Sequence, residues 1–147
     1  MDKKLAKKCE KLHKQNQFGE IIKLLEQQPQ TDYDVVGHLA RAYNNKGRYQ
    51  DAIDLLRSVQ TQGEEDPLWH FRLGYAYDHL ARPEEALAEF EKVLALNPKD
   101  WEARLYIRQC KKSLKDQKPK RQNQTAAETK DDSAALEESS AEKEYDL

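Results

Sequence analysis

The sequence has too few cysteines for a disulfide scaffold and no apolar run long enough for a membrane. Cys9 and Cys110 are its only thiols. Neither lies in a C-x-x-C pair, so they provide neither a disulfide framework nor a zinc spacing. A reduced, cytoplasmic setting is the expectation. No stretch approaches the roughly 18 apolar residues of a membrane span. The start, Met1-Asp-Lys-Lys-Leu-Ala-Lys-Lys, has no apolar run after its lysines and does not read as a secretory signal. There are five glycines. None sits in a phosphate-cradling loop, and G-x-S-x-G and H-E-x-x-H are missing. Net charge is −2, so whole-molecule attraction to nucleic acid or membrane is not implied.

Charged residues make up 35% of the chain and hydrophobic ones 37%. That balance points to a thin core, an unfolded part, or both. The charge is uneven. Residues 128–147 carry eight acidic side chains against Lys130 and Lys143, a net −6, which leaves +4 for the rest. From Asp116 onward, polar residues dominate. Residues 117–147 are therefore expected to be a disordered, charged tail that cannot bury enough surface to offset its ordering entropy.

The rest of the chain repeats. A shift of 34 residues aligns Leu39 with Leu73, Ala42 with Ala76, Tyr43 with Tyr77, Arg48 with Arg82, Ala52 with Ala86 and Val59 with Val93. The run Leu73-Gly-Tyr-Ala-Tyr, then Glu85-Ala-Leu-Ala-Glu-Phe, then Leu96-Asn-Pro resembles a tetratricopeptide repeat. Residues 33–66 form a weaker copy, with Ala40 at the glycine position and Glu64 at the terminal proline. Phe18-Gly-Glu-Ile-Ile-Lys-Leu-Leu resembles Tyr49-Gln-Asp-Ala-Ile-Asp-Leu-Leu at a spacing of 31, which marks residues 2–30 as a degenerate third copy. The resemblance implies an all-α helix-turn-helix array, an α-solenoid. Its domain is expected at residues 1–116, with pairs at about 2–30, 33–66 and 67–100 and a cap at 101–116.

Periodicity independently predicts helices near 3–15, 18–28, 33–46, 49–61, 67–80, 83–96 and 101–116. Asp66 is placed to cap a helix opened by Pro67, and Pro83 opens the next. Asn97-Pro98 stops it. Gly74 and Ala86 are small where paired helices would cross closely. In the last helix Ala103, Ile107, Cys110 and Leu114 form the apolar stripe, and Glu102, Arg108, Lys111, Lys112 and Lys115 the outer face.

No constellation offers a nucleophile with an oriented base, so the chain reads as a non-enzyme with no cofactor, metal or small-molecule substrate. His13, His38, His70 and His79 are scattered, and Cys9 and Cys110 lie on apolar stripes as small core residues. A binding groove is favoured instead. The resemblance implies that the first helices of successive pairs line a concave surface taking peptides or partner helices. Residue by residue this gives Lys3, Ala6, Glu10, His13 and Lys14, then Asp34, Gly37, Arg41, Asn44 and Asn45. The third pair gives Leu68, Phe71, Tyr75, Asp78 and His79, and the cap Glu102, Leu105 and Gln109. Leu68, Phe71 and Tyr75 form an apolar stripe beyond the one that packs the repeat. It is expected to be an exposed aromatic floor beside the polar and positive Arg41, Asn44 and Asn45. The rival reading has the cap helix and neighbouring pairs covering this stripe.

Some members of the family clamp the carboxylate terminus of heat-shock chaperones with lysine, asparagine and arginine residues. Arg72 stands at one clamp arginine. Leu68 stands at its companion lysine, and Ala6 and Glu10 at the first lysine and asparagine. Reading one pair later meets Gly37 and Arg41, so the clamp set is not reproduced. The function expected is an adaptor holding a protein or peptide partner. The alternatives are a structural, auxiliary subunit of a larger assembly and a nucleic-acid-associated protein using the basic segment 111–121. The last is disfavoured because no aromatics interleave that run.

Overall fold

The computed structural model describes residues 1–117. Of the expected tail, residues 117–147, only Gln117 is described, as the last residue of a helix; the rest lies outside the described residues. Eight helices follow one another: α1 (Lys3–Lys14), α2 (Phe18–Leu25), α3 (Tyr33–Asn45), α4 (Tyr49–Arg57), α5 (Gln60–Gly63), α6 (Pro67–His79), α7 (Pro83–Leu96) and α8 (Trp101–Gln117). No strand forms among the described residues. Each helix packs on its successor, and α3 and α4 also pack on α6 of the next pair. The result is an all-α array whose single apolar core runs from Cys9 to Cys110.

The helix ends follow from local chemistry. The Asp2, Asp32 and Asp66 carboxylates accept from backbone N–H groups of α1, α3 and α6 and satisfy otherwise orphaned donors. The turn inside each pair is the same: Asn16, Gly47 and Ala81 all take positive φ, at 56°, 85° and 59°. The next residue's N–H reaches back to Leu12, Tyr43 and Tyr77 carbonyls at 2.8, 2.8 and 3.0 Å, which ends each first helix in a six-to-one bond.

Sequence periodicity places one helix at 49–61, but the structure breaks it after Arg57. Trp69 is the reason. Its indole N–H donates to the Leu56 carbonyl at 2.9 Å, and its ring lies over Gly63, where a Cβ would stand 2.2 Å away. The chain must step aside there, and only glycine leaves room. The helix expected at 18–28 likewise ends at Leu25, and the Gln30 side-chain amide donates to the Leu25 carbonyl at 3.1 Å. Gly74 is required at the α6–α7 crossing, since a Cβ would meet the Phe90 ring at 2.8 Å.

A buried polar cluster joins α4, α6 and α7. Glu89 accepts from Arg57 at 3.2 Å and faces the His70 Nδ1 at 2.7 Å, while the other ring nitrogen faces the Glu64 carbonyl at 2.9 Å. Arg57 also donates to the Tyr77 hydroxyl at 3.1 Å. Each buried polar atom there has a partner, which is what keeps such a cluster from destabilising the core.

Candidate partner-binding groove

Side-chain contacts tie α1, α3, α6 and α8 along one face. Glu10 of α1 pairs with Arg41 of α3 at 3.8 Å. Asn44 of α3 donates to the Arg72 carbonyl of α6 at 3.2 Å. Phe71 of α6 meets Tyr106 of α8 edge to face at 5.7 Å. The first helices of the pairs therefore do lie side by side.

The aromatic floor is corrected by the structure. Phe71 and Tyr75, expected as an exposed stripe, are 5% and 7% exposed. The Phe71 ring packs edge-on against Phe90 at 5.3 Å and against Tyr106, and Tyr75 lies between Tyr49, His79 and Tyr106. The covering element is α8. Its Tyr106 stacks on Phe90 with centroids 4.6 Å apart and closes the face that a further repeat would otherwise occupy. Tyr106 belongs to the buried stripe Ala103, Tyr106, Cys110. The expected stripe Ala103, Ile107, Cys110 and Leu114 omits Tyr106, although it stands three residues after Ala103 and four before Cys110.

The remaining expected residues divide. Asn44 is fully buried and joins α3 to α6, so its side chain is structural. Asn45 is half-buried. Asp78 is half-buried beside the Cys110 sulfur at 4.0 Å, and burial pushes its carboxyl upward. His79 is exposed. Its Nδ1 donates to the Tyr75 carbonyl at 3.0 Å, and its ring stacks on Tyr49. These last two sit toward the C-terminal end of α6, away from its start. At that start Leu68 is 46% exposed. It borders a cavity of about 380 Å³ lined by Arg41, Pro67, Leu68, Phe71, Arg72, Asn97, Asp100 and Glu102. Arg41, Leu68 and the accessible edge of Phe71 are thus brought together, and the α7–α8 turn supplies the opposite wall.

Arg72 is the lining residue that the aromatic reading left out. Its guanidinium packs against α3, where a Cβ on Gly37 would come within 3.1 Å of it. The signal was Gly37, a helix residue with no side chain opposite a long cation. Burial, then the neighbouring Arg41 charge, pulls Arg72 down to about 10. Two histidines stand beside it. His13 and His38 stack at 5.8 Å. Burial, with Arg41, His38 and Arg72 nearby, pushes His13 down to about 3, and burial also lowers His38.

The thiols carry no sign of reactivity. Both are buried, and burial raises Cys9 and lifts Cys110 to about 12, against the thiolate form. Among the described residues, no group of three or more His, Cys, Asp or Glu side chains could hold a metal ion. No helix there is long and apolar enough to cross a membrane.

Residues 38–100 match the family model of the tetratricopeptide repeat. A stretch of 53 residues is 40% identical to TPR repeat-containing protein YpiA of Bacillus subtilis (strain 168). That match covers 36% of this chain and 12% of that protein's length. Such repeats generally mediate protein–protein interaction and are typically non-catalytic. Residues 38–100 thus carry tetratricopeptide repeats, set within an all-α array of packed helix pairs.

Proposed function

We propose that this chain is an adaptor that holds a segment of a protein partner along the face formed by α1, α3, α6 and α8. The observation that carries the reading is the cavity at the start of α6. It combines an apolar floor, from Pro67, Leu68 and the edge of Phe71, with the cations Arg41 and Arg72 on one wall and Asp100 and Glu102 on the other. A partner segment with one bulky apolar anchor, an acidic or amide group toward Arg41 and a basic group toward Glu102 matches that arrangement. Leu68 is the residue to vary, because its exposure frees it from the core. Leu68→Asp in the full chain should leave the helical signal intact and weaken capture of the native partner by about tenfold, near 1.4 kcal/mol. A folded Leu68→Asp chain that binds normally would move the binding surface elsewhere.

One observation favours a second reading, the auxiliary subunit. Trp101 is 64% exposed at the start of α8, and large exposed aromatics are characteristic of interface cores. If Trp101→Ala abolishes partner capture while Leu68→Asp does not, the edge of the array is the contact and the subunit reading takes precedence.

A further inference from the structure

The positive charge of the folded array is concentrated in α1. Residues 1–14 hold six lysines against Asp2 and Glu10, a net +4, whereas residues 15–117 hold 14 basic and 17 acidic side chains, a net −3. All six lysines are exposed, and none has an ion-pair partner among the described residues. Lys7, Lys11 and Lys14 share one side of the helix. Together with Ala6, Glu10 and His38 they line a concavity of about 500 Å³ between α1 and α3. Glu10, the one carboxylate in it, already faces Arg41.

We infer that this lysine face is the docking site of the chain's own acidic segment, residues 128–147. Charge is the first argument. That segment is net −6, so it is attracted to α1, the most basic helix of the array, and repelled by the net negative charge of the remainder. Reach is the second. The segment departs from the C-terminal end of α8. With neighbouring helices about 10 Å apart, α1 lies about 30 Å away across α6 and α3. Ten residues separate Gln117 from Glu128, and an extended chain covers about 3.3 Å per residue. Glu128 can just arrive, and Asp131 to Asp146 arrive with slack. Docked there, the segment lies at the α1 end of the same face on which the partner is proposed to bind, so it would compete with an acidic partner. The docking itself does not depend on that partner.

Zero-length carbodiimide cross-linking of the full chain, read by peptide mass spectrometry, tests the contact. Dilute protein at low salt should give intrachain links from Lys7, Lys11 or Lys14 to carboxylates of residues 128–147. Their yield should fall about tenfold as ionic strength rises from about 0.01 M to about 1 M, where the screening length shrinks from about 30 to about 3 Å. Full-length Lys7→Gln, Lys11→Gln, Lys14→Gln, with surface-only changes, should lose salt-sensitive protection of the α1 amides against hydrogen exchange. Three results would overturn the inference. One is links confined to Lys111, Lys112 and Lys115 of α8. Another is links that appear only between chains and grow with concentration. The third is α1 exchange that ignores both salt and the lysine changes.

Discussion

The third and first helix pairs share one template and are built from different material. α6 buries eight of its thirteen residues, four of them aromatic carbocycles or indole; α1 buries two of twelve, Cys9 and His13. α6 is flanked by α3 and α4 on one side and by α7 and Tyr106 on the other. α1 has neighbours on one side alone among the described residues. An inner helix of a stack needs apolar surface nearly all round, whereas an end helix needs one stripe and a wettable back. The same packing role is thus met by Trp69, Phe71, Tyr75 and Tyr77 in one place and by lysines over a narrow Leu5–Cys9–Leu12 stripe in the other.

The largest test of this contrast removes one buried ring from the inner pair. Phe90 is fully buried, touching Phe71 and Tyr106 and lying under Gly74. Phe90→Ala should destabilise the whole array by about 3–5 kcal/mol. Leu12→Ala in the half-buried stripe of α1 should remove about 1–2 kcal/mol and fray only the first pair. Urea melts give the magnitudes, and amide exchange shows where protection is lost. Equal global losses from both changes would mean that the first pair is as integral as the third.

How far the sequence carried this contrast depends on what each residue touches. The helices, the Asp66 cap, the small Gly74 and the buried Tyr77 follow from spacing within one repeat, so a single sequence displays them. The burial of Phe71 and Tyr75 does not. Seen along α6, they form a free stripe; only the docking of Tyr106 from a helix more than thirty residues away turns that stripe into core. The break between α4 and α5 was hidden for the same reason, since it depends on the Trp69 ring arriving over Gly63. Leu68 and Arg41 stayed accessible because the α7–α8 turn stands off from them instead of covering them.

The middle-sized effect belongs to the first pair and is set by pH. His13 is buried against His38, with Arg41 and Arg72 nearby, and is held neutral down to about pH 3. The unfolded chain binds that proton near pH 6.5, so as pH falls below 6.5 the unfolded state gains protons first and stability is lost until about pH 3. From pH 7 to pH 5 the loss from this group is about 2 kcal/mol. His13→Asn should flatten that part of the pH–stability curve, and exchange at pH 5 should open α1 before α6. An unchanged slope in the variant would place the acid sensitivity in another group.

The smallest effect compares the turns that the three pairs have in common. All three place one residue at positive φ, but the residues differ: Asn16, Gly47 and Ala81. Glycine takes this conformation without strain, asparagine tolerates it, and alanine sets its Cβ against the backbone. The pair with the strongest repeat signature therefore carries the least suitable turn residue. Ala81→Gly should raise stability by about 0.5–1 kcal/mol, because relief of the strain exceeds the added freedom of the unfolded chain. Gly47→Ala should lower it by about 1 kcal/mol. Nothing lies within 4 Å of the Cβ it would add, so that loss would be conformational and not steric. Asn16→Gly should change stability by no more than a few tenths of a kcal/mol. Thermal melts of the three variants give the order directly. If Ala81→Gly is destabilising, the turn in the third pair is held by its neighbours at no strain, and the difference between the pairs does not extend to their turns.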